Sequence, residues 1–474
     1  MTMRIEQIYT GCLAQGAYYI ESEGEAVVID PLREISSYVE KAERNNAKIK
    51  YVLETHFHAD FVSGHIDLAR VTGATIVYGP TAVPSFKAHI AKDGEELTVG
   101  KLTIEVLHTP GHTMESSCFL LKNEIGKPIG LFSGDTLFIG DVGRPDLAQK
   151  VKAELTEDML AGLLFDSLRN KIMPLPDDII VYPAHGAGSA CGKNMSKETT
   201  DTLGHQKATN YALRPNMTKE EFKKELLAGL VAPPAYFPLN VMMNIQGYDS
   251  IDDVLKRGNH ALSPAAFEAA ANETGALILD TRDPEDFAKG FVPNSINIGI
   301  DGSFAPWVGA MIPDIKQKIL VVAEPGREKE IVTRLARVGY DFSIGYLEGG
   351  YESWKKSGKE SDLVEAITAE ELRKIQQKAM VNILDVRRKS EFDSEHIIDA
   401  INAPLDFINE SMQQINKDQK YYVHCAGGYR SMVFISTLRA RGFDNLVNID
   451  GGFKEIKESG KFAITDYVIP GTLL

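Results

Sequence analysis

Cysteine is scarce in this chain: Cys12, Cys118, Cys191 and Cys425 are spread over 474 residues. So sparse a set makes a poor disulfide framework, and reduced thiols in a cytoplasmic setting are expected. Each thiol is either there for chemistry or is a small buried hydrophobe. Positive charge is also in deficit, with a net charge of −15. An acidic chain without a Lys/Arg-rich run repels a phosphate backbone, which excludes a nucleic-acid binder. No apolar run reaches ~18 residues, so no membrane span is expected. Met1 to Ile8 enter strand-like sequence directly, without the apolar core of a signal peptide.

Hydrophobic content of 43% and charged content of 25% are ordinary, and the length suggests two to four domains. Over the first half, short β-branched runs alternate with polar turns. Ala26–Ile29, Ile49–Leu53, Thr75–Tyr78, Leu102–Leu107, Cys118–Leu121, Gly130–Phe132 and Ile179–Tyr182 read as strands. Glu34–Asn45 and Ser63–Thr72 read as helices. A Pro-rich stretch, Ala232–Pro238, reads as a structured tail or linker leaving this first domain. The remainder repeats itself roughly a hundred residues on. Ile278-Leu-Asp280-Thr-Arg282 matches Ile383-Leu-Asp385-Val-Arg387; Ser295-Ile-Asn297 matches Ala400-Ile-Asn402; Leu347-Glu-Gly-Gly350 matches Ile449-Asp-Gly-Gly452. Three blocks in register imply two copies of one α/β unit. The expected boundaries are 1–250, 255–360 and 365–474.

The densest chemistry lies in Glu54-Thr-His56-Phe-His58-Ala-Asp60-Phe61. Alternate residues after a strand share a side, so His56 and His58 can converge. Imidazole and carboxylate ligands suit zinc or iron. Further candidates each follow a strand: His112 in Pro-Gly-His, Asp135 in Ser-Gly-Asp, and His185 in Pro-Ala-His. Asp30, in Val-Ile-Asp-Pro, reads as a structural carboxylate that ties loops beneath this cluster.

Over about residues 1–245 these motifs resemble the metallo-β-lactamase superfamily, which implies an αββα sandwich. Two-metal hydrolases of the glyoxalase II type carry His-x-His-x-Asp-His, and here the last position is Phe61. The closer resemblance is to persulfide dioxygenases. It implies one Fe(II) per chain on His56, His112 and Asp135, a two-histidine, one-carboxylate set with open positions. His58, Asp60 and His185 then orient ligands and water, or serve as ligands if a second metal binds. Gly143-Arg144-Pro-Asp146 also matches. It makes Arg144 a candidate partner for an anionic thiol substrate, against the alternative of a surface salt bridge. Zinc stays open as the metal.

Tyr421-Tyr-Val-His-Cys425-Ala426-Gly427-Gly428-Tyr429-Arg430 reads as a strand, a short loop and a helix start. It resembles the rhodanese loop Cys-x-x-x-x-Arg. Loop amides, the helix N-terminus and Arg430 favour a thiolate, so the Cys425 pKa is expected below the free value of ~8.5. Gly427 and Gly428 let the backbone turn. Counting back from Gly349-Gly350 in the first copy lands on Ala323, and that copy holds no cysteine. It therefore cannot carry a persulfide. Cys191, in His185-Gly-Ala-Gly-Ser-Ala-Cys191, is either a sulfur-handling thiol near the metal cleft or a partly buried structural one. Cys12 and Cys118 lie in strand-like apolar sequence and are expected in the core.

Taken together, the chain resembles persulfide dioxygenase–rhodanese fusion proteins, with parallel-sheet rhodanese-like domains after the first. The resemblance implies oxidation of a glutathione, coenzyme A or bacillithiol persulfide with O2 to sulfite and thiol. It also implies sulfane-sulfur transfer through Cys425, to sulfite or from thiosulfate. The alternative is a dinuclear zinc thioester hydrolase with accessory rhodanese domains. A homo-oligomer is expected.

Overall fold

The strand Glu25–Ile29 is buried on both faces, which is why it reads as a continuous apolar run rather than an alternating one. Val27 and Ile29 point into one core, Ala26 and Val28 into another. The same two-sided burial recurs through the N-terminal unit and sets its layers. The computed structural model describes residues 3–146, 155–193, 195–230 and 233–468. Met1, Thr2 and Ala232 therefore lie outside the described residues, as do positions 469–474. Two compact units form: residues 1–251 with Ala336–Gly339, and residues 252–335 with 340–474. Among the described residues, no helix is long and apolar enough to cross a membrane.

The first unit contains two six-stranded sheets. One runs Arg4–Thr10, Gln15–Ser22, Glu25–Ile29, Lys48–Leu53, Thr75–Tyr78, His89–Ile90. The other runs Asp201–Thr202, Ile180–Pro183, Pro128–Gly134, Ser117–Lys122, Leu102–His108, Glu96–Val99. Side chains such as Tyr18, Ile29, Leu53, Ile104, Phe119 and Phe132 fill the space between them. Helix Ser36–Arg44 covers the outer face of the first sheet through Tyr38 and Ala42. Helices Glu157–Ser167 and Lys219–Leu227 cover the second through Ala161, Leu164, Phe222 and Leu226. This is the αββα sandwich.

Strand direction brings the candidate residues together. Leu102–His108 and Pro128–Gly134 each run antiparallel to the strand between them, so they point the same way. Pro128–Gly134 pairs in parallel with Ile180–Pro183. The loops after all three strands therefore leave one edge of that sheet, carrying His112, Asp135 and His185. Across the sandwich, Lys48–Leu53 delivers His56. Ser117 N donates to Thr55 O at 2.9 Å and stitches the two edges.

The Pro-rich stretch is the structured tail of the two readings, not the linker. Its described part leads into helix Phe237–Gln246, with Pro238 in the first turn, where a missing N–H costs nothing. Tyr236 and Phe237 are buried. Asn244 Nδ2 donates to His58 O at 2.8 Å and Phe61 O at 2.9 Å, and its Oδ1 accepts from Ser63 N at 2.9 Å. One buried amide thus clamps the loop that carries the histidines and Asp60.

The second unit holds two five-stranded sheets of the same topology, parallel throughout. The first runs Ala261–Leu262, Ser343–Leu347, Ile319–Val322, Leu277–Asp280, Ile296–Asn297. The second runs Ala366–Ile367, Leu446–Ile449, Tyr421–His424, Asn382–Asp385, Ile401–Asn402. The repeated sequence blocks have a physical reason. Arg282 folds back onto Asp280, and Arg387 onto Asp385, each at 2.6 Å. The following asparagine pins both backbones: Asn297 Nδ2 donates to Asp280 O and Arg282 O, and Asn402 Nδ2 to Asp385 O and Arg387 O. The two copies touch at helix Tyr429–Arg439. Ser436 Oγ accepts from Asn297 N at 2.9 Å, which caps an otherwise open sheet edge.

Replacing Asn244 with alanine removes three buried hydrogen bonds from one loop. At about 1 kcal/mol net each, the loss should be about 3 kcal/mol, read as a lowered thermal midpoint.

Candidate functional site

His56, His112 and Asp135 come together. Asp135 Oδ2 lies 3.4 Å from His112 Nε2 and 4.0 Å from His56 Nε2, and all three side chains are buried. Neither Asp135 oxygen has a hydrogen-bond partner. A carboxylate buried without partners is costly, and a divalent cation satisfies it. These separations suit ligand bonds of about 2.0–2.2 Å, so the residues fit a metal.

The imidazoles are pre-oriented. His112 Nδ1 meets Arg144 O at 2.7 Å, and His185 Nδ1 meets Ala14 O at 3.2 Å. A carbonyl only accepts, so both rings carry the proton on Nδ1 and turn a lone pair on Nε2 inward. His56 reaches the same state through Thr55. The Thr55 hydroxyl donates to Asp30 Oδ2 at 2.9 Å and faces His56 Nδ1 at 3.0 Å, while Thr55 N donates to Asp30 Oδ1 at 2.8 Å. Burial, then the neighbouring His58, His112 and His185, hold the His56 pKa well below the ordinary range. A metal ligand must be neutral in this way. Close packing completes the cradle: a Cβ on Gly143 would stand 2.1 Å from Asp135 O.

His58 does not join the inward-facing group. Its Nε2 lies 3.1 Å from Asp30 Oδ1 and 3.3 Å from Glu54 Oε2. Burial alone would hold this imidazole neutral, but the two carboxylates outweigh it and raise its pKa well above the ordinary value. A ring engaged this way orients the strand end and turns no lone pair toward Asp135. Arg144 forms the salt bridge of one expectation, but in the interior. It is buried, not a surface residue, and its guanidinium forks onto Asp146 with both contacts at 2.6 Å. Its main-chain carbonyl meets His112 Nδ1 at 2.7 Å.

Asp60 and His185 form a second group with Cys191. His185 Nε2 lies 3.5 Å from Asp60 Oδ2 and 3.6 Å from Asp135 Oδ1, and the ligand atoms of Asp60, His185 and Cys191 are within 4.8 Å of one another. Cys191 is fully buried rather than partly so. Burial, then Asp60 and Asp135, push its thiol pKa well up. Cys118 is a core residue whose pKa burial pushes up to about 11. Cys12, expected in the core, is half-buried in the turn between the first two strands.

The Cys425 thiol is buried at the end of strand Tyr421–His424, beneath solvent-exposed Ala426 and Gly427. Gly428 N donates to Sγ at 3.1 Å, from a backbone at φ +107° that favours glycine. Helix Tyr429–Arg439 starts immediately after, so its N-terminus faces the sulfur. Phe453 N donates to Cys425 O at 2.7 Å, and a Cβ on Gly452 would stand 2.6 Å from that oxygen. In the first copy a Cβ on Gly350 would stand 2.7 Å from Ala323 O. Ala323 thus occupies the place of Cys425. Arg430 is not free: it forks onto Glu391 at 2.6 and 2.8 Å. Burial would raise the Glu391 pKa, but Arg430 more than offsets this and lowers it. Tyr429 turns its side chain to the first copy, donating to Gly299 O at 2.7 Å, and a Cβ on Gly302 would stand 2.2 Å from its ring.

Glu54, Thr55, Asn244 and Glu391 were not singled out from sequence. The first two adjoin His56, which was a usable signal. Asn244 and Glu391 reach their targets only through the tertiary fold.

Comparison with known proteins agrees with this architecture. Residues 10–185 match the family model of the metallo-beta-lactamase superfamily, and residues 263–357 and 368–459 match that of the rhodanese-like domain. The crystal structure of a metallo-beta-lactamase from Staphylococcus aureus subsp. aureus COL is 32% identical, with a TM-score of 0.63, covering 73% of this chain and 98% of that one. That of ETHE1 from Myxococcus xanthus is 27% identical, with a TM-score of 0.43, covering 52% and 98%. A hydroxyacylglutathione hydrolase of Francisella tularensis subsp. novicida (strain U112) is 35% identical over 169 residues, which is 35% of this chain and 61% of that protein.

Thr55→Val keeps the shape of the side chain and removes the hydroxyl that links Asp30 to His56. Metal affinity should fall about 10–100-fold in a chelator competition titration.

Proposed function

Because the chain belongs to the metallo-beta-lactamase superfamily and carries two rhodanese-like domains after that domain, we propose that it oxidises a low-molecular-weight thiol persulfide and transfers sulfane sulfur through Cys425. The observation that carries the first half is the division of the histidines. Nε2 of His56 and of His112 faces one buried carboxylate, whereas His58 is engaged by Asp30 and Glu54 and Phe61 offers no ligand atom. Two histidines and one carboxylate on one face suit an Fe(II) with open positions. One iron there would hold the terminal persulfide sulfur and O2 together.

The reaction balances as persulfide plus O2 plus water giving thiol, sulfite and protons. The chain's own contribution is orientation. Asp30 through Thr55 holds His56, the Arg144 carbonyl holds His112, and the buried surroundings keep bulk water from the reacting sulfur. At the second centre, Cys425 takes the outer sulfur of a persulfide as Cys–S–SH, with the Gly428 amide and the helix N-terminus favouring the anion. Sulfite attack on that sulfur releases thiosulfate and returns the cysteine thiol. The reverse sequence charges Cys425 from thiosulfate.

A second reading is favoured by one finding, the likeness to a hydroxyacylglutathione hydrolase. In it, the N-terminal domain would hydrolyse a glutathione thioester without O2. An oxygen electrode separates the two. Glutathione persulfide should drive O2 uptake with sulfite formation, and S-lactoylglutathione should not be cleaved; thioester cleavage with no persulfide-dependent uptake would overturn the proposal. Cys425→Ser should lower thiosulfate sulfurtransferase activity at least ~10³-fold and leave persulfide-dependent uptake intact. His112→Ala should do the reverse.

A further inference from the structure

The fork between Arg430 and Glu391 occurs in the copy that carries the cysteine and not in the other. Its two contacts, at 2.6 and 2.8 Å, close both arms of the guanidinium onto one carboxylate. Arg430 lies mostly out of water, with its side chain 18% exposed. Glu391 is itself held in place, since Arg388 N donates to its Oε2 at 3.1 Å. Counting on from Ala323 as from Cys425, Glu328 stands in the first copy where Arg430 does in the second. Counting on from Asp280 as from Asp385, Asp286 stands where Glu391 does, and it pairs with Lys289 on its own helix at 2.9 Å. The folded-back Asp–Arg pairs recur in both copies and belong to the scaffold; this fork does not. The rest of the mouth adds little charge. Ala426, Gly427, Gly428 and Tyr429 are uncharged. Arg387 is paired with Asp385 at 2.6 Å, and Arg388 Nε lies 3.6 Å from Asp406. On the first copy, Arg334 and Asp301 both act on the Tyr429 phenol, and they are matched in turn by Glu330 and Arg327. Lys454 N donates to Ala426 O at 3.1 Å, but its side chain is exposed, where salt screens the charge.

We propose that Glu391 is a specificity-determining residue of the sulfur-transfer site: by closing Arg430 into an ion pair, it turns the site away from the thiosulfate dianion and toward an organic persulfide as sulfur donor, a step that rests on Cys425 being the sulfur carrier. The charges present during attack decide the matter. With thiosulfate, the Cys425 thiolate attacks the outer sulfur, the S–S bond breaks and sulfite leaves with the electron pair. The products are Cys–S–S⁻ and the sulfite dianion, so three negative charges share the mouth throughout. With a persulfide R–S–SH, the thiolate takes the outer sulfur together with its proton, the S–S bond breaks and RS⁻ leaves. Only one negative charge crosses. A dianion therefore needs an unpaired cation beside the sulfur, and a persulfide does not. Sulfite attack on the charged cysteine passes through the same three charges in reverse and is slowed alike. Exchange between persulfides and thiols is left as the fast reaction of this loop.

The test follows the charging of Cys425 in the full chain without O2. Thiosulfate or glutathione persulfide is mixed with the protein, the reaction is quenched, and the Cys425 peptide is weighed by mass spectrometry. Glu391→Gln keeps the size of the side chain and removes its charge. At low salt it should raise the thiosulfate rate constant about 10-fold, and the persulfide one only about 3-fold, as one freed charge close to a dianion implies. At high salt both gains should shrink toward unity, which a change in packing alone would not do. In the wild type, which needs no variant, the thiosulfate rate should not fall as salt rises. A fall with salt, or a donor ratio that Glu391→Gln leaves in place, overturns the role of Glu391. A Cys425 that neither donor charges overturns the sulfur-transfer reading instead, so the two fail separately.

Discussion

One buried carboxylate decides which histidines face the metal position. Asp30 ends an early strand in the left-handed region, at φ +49°, which Asp tolerates better than most residues. From there one oxygen takes the Thr55 amide and the other takes the Thr55 hydroxyl, while the first also meets His58. The Thr55 contact directs His56 inward. The His58 contact draws the neighbouring histidine outward. A motif with two histidines two residues apart thereby delivers only one to the cluster, and the charge of the other is balanced in place by Asp30 and Glu54. Asn244 then closes the loop from outside, so the arrangement is held from both sides of the chain.

That division explains how far the site was legible in the sequence. His56, His112 and Asp135 each follow a strand in a short Gly- or Thr-containing motif, and strand-end loops of parallel-running strands leave one edge of a sheet. Their convergence was therefore readable from spacing and resemblance. The partners that orient them were not. Arg144 was read for its charge; it also offers a carbonyl to His112, and no side-chain pattern announces a main-chain acceptor. The Pro-rich stretch was read as a structured tail or a linker, since proline often breaks a helix. Pro238 instead begins one, in the first turn, where the missing N–H is no loss. The strands were legible as short apolar runs, and their layering followed from the resemblance that the metal motifs carry.

The repeat shows the complementary case. Asp280 with Arg282 and Asp385 with Arg387 were visible as matched letters, and each pair proves to be a folded-back ion pair pinned by an asparagine. At one place the copies differ in the chemistry they offer: Ala323 has a methyl where Cys425 has sulfur, with an equivalent glycine packed on the carbonyl behind it. Glu391 was missed because Arg430 was assigned to the sulfur alone. The fork places a counter-charge beside it and tempers its pull.

The contact of Tyr429 with Gly299 and Gly302 makes the silent copy a boundary condition for the active one. A residue inside the sulfur-bearing loop finds its hydrogen-bond acceptor and the floor for its ring on the other domain. The last domain cut away from its twin would leave that phenol and its ring face in water, next to the nucleophile. The duplicated domain is thus a mould for the loop: it has no cysteine of its own, yet the shape of the Cys425 loop is partly cast by it.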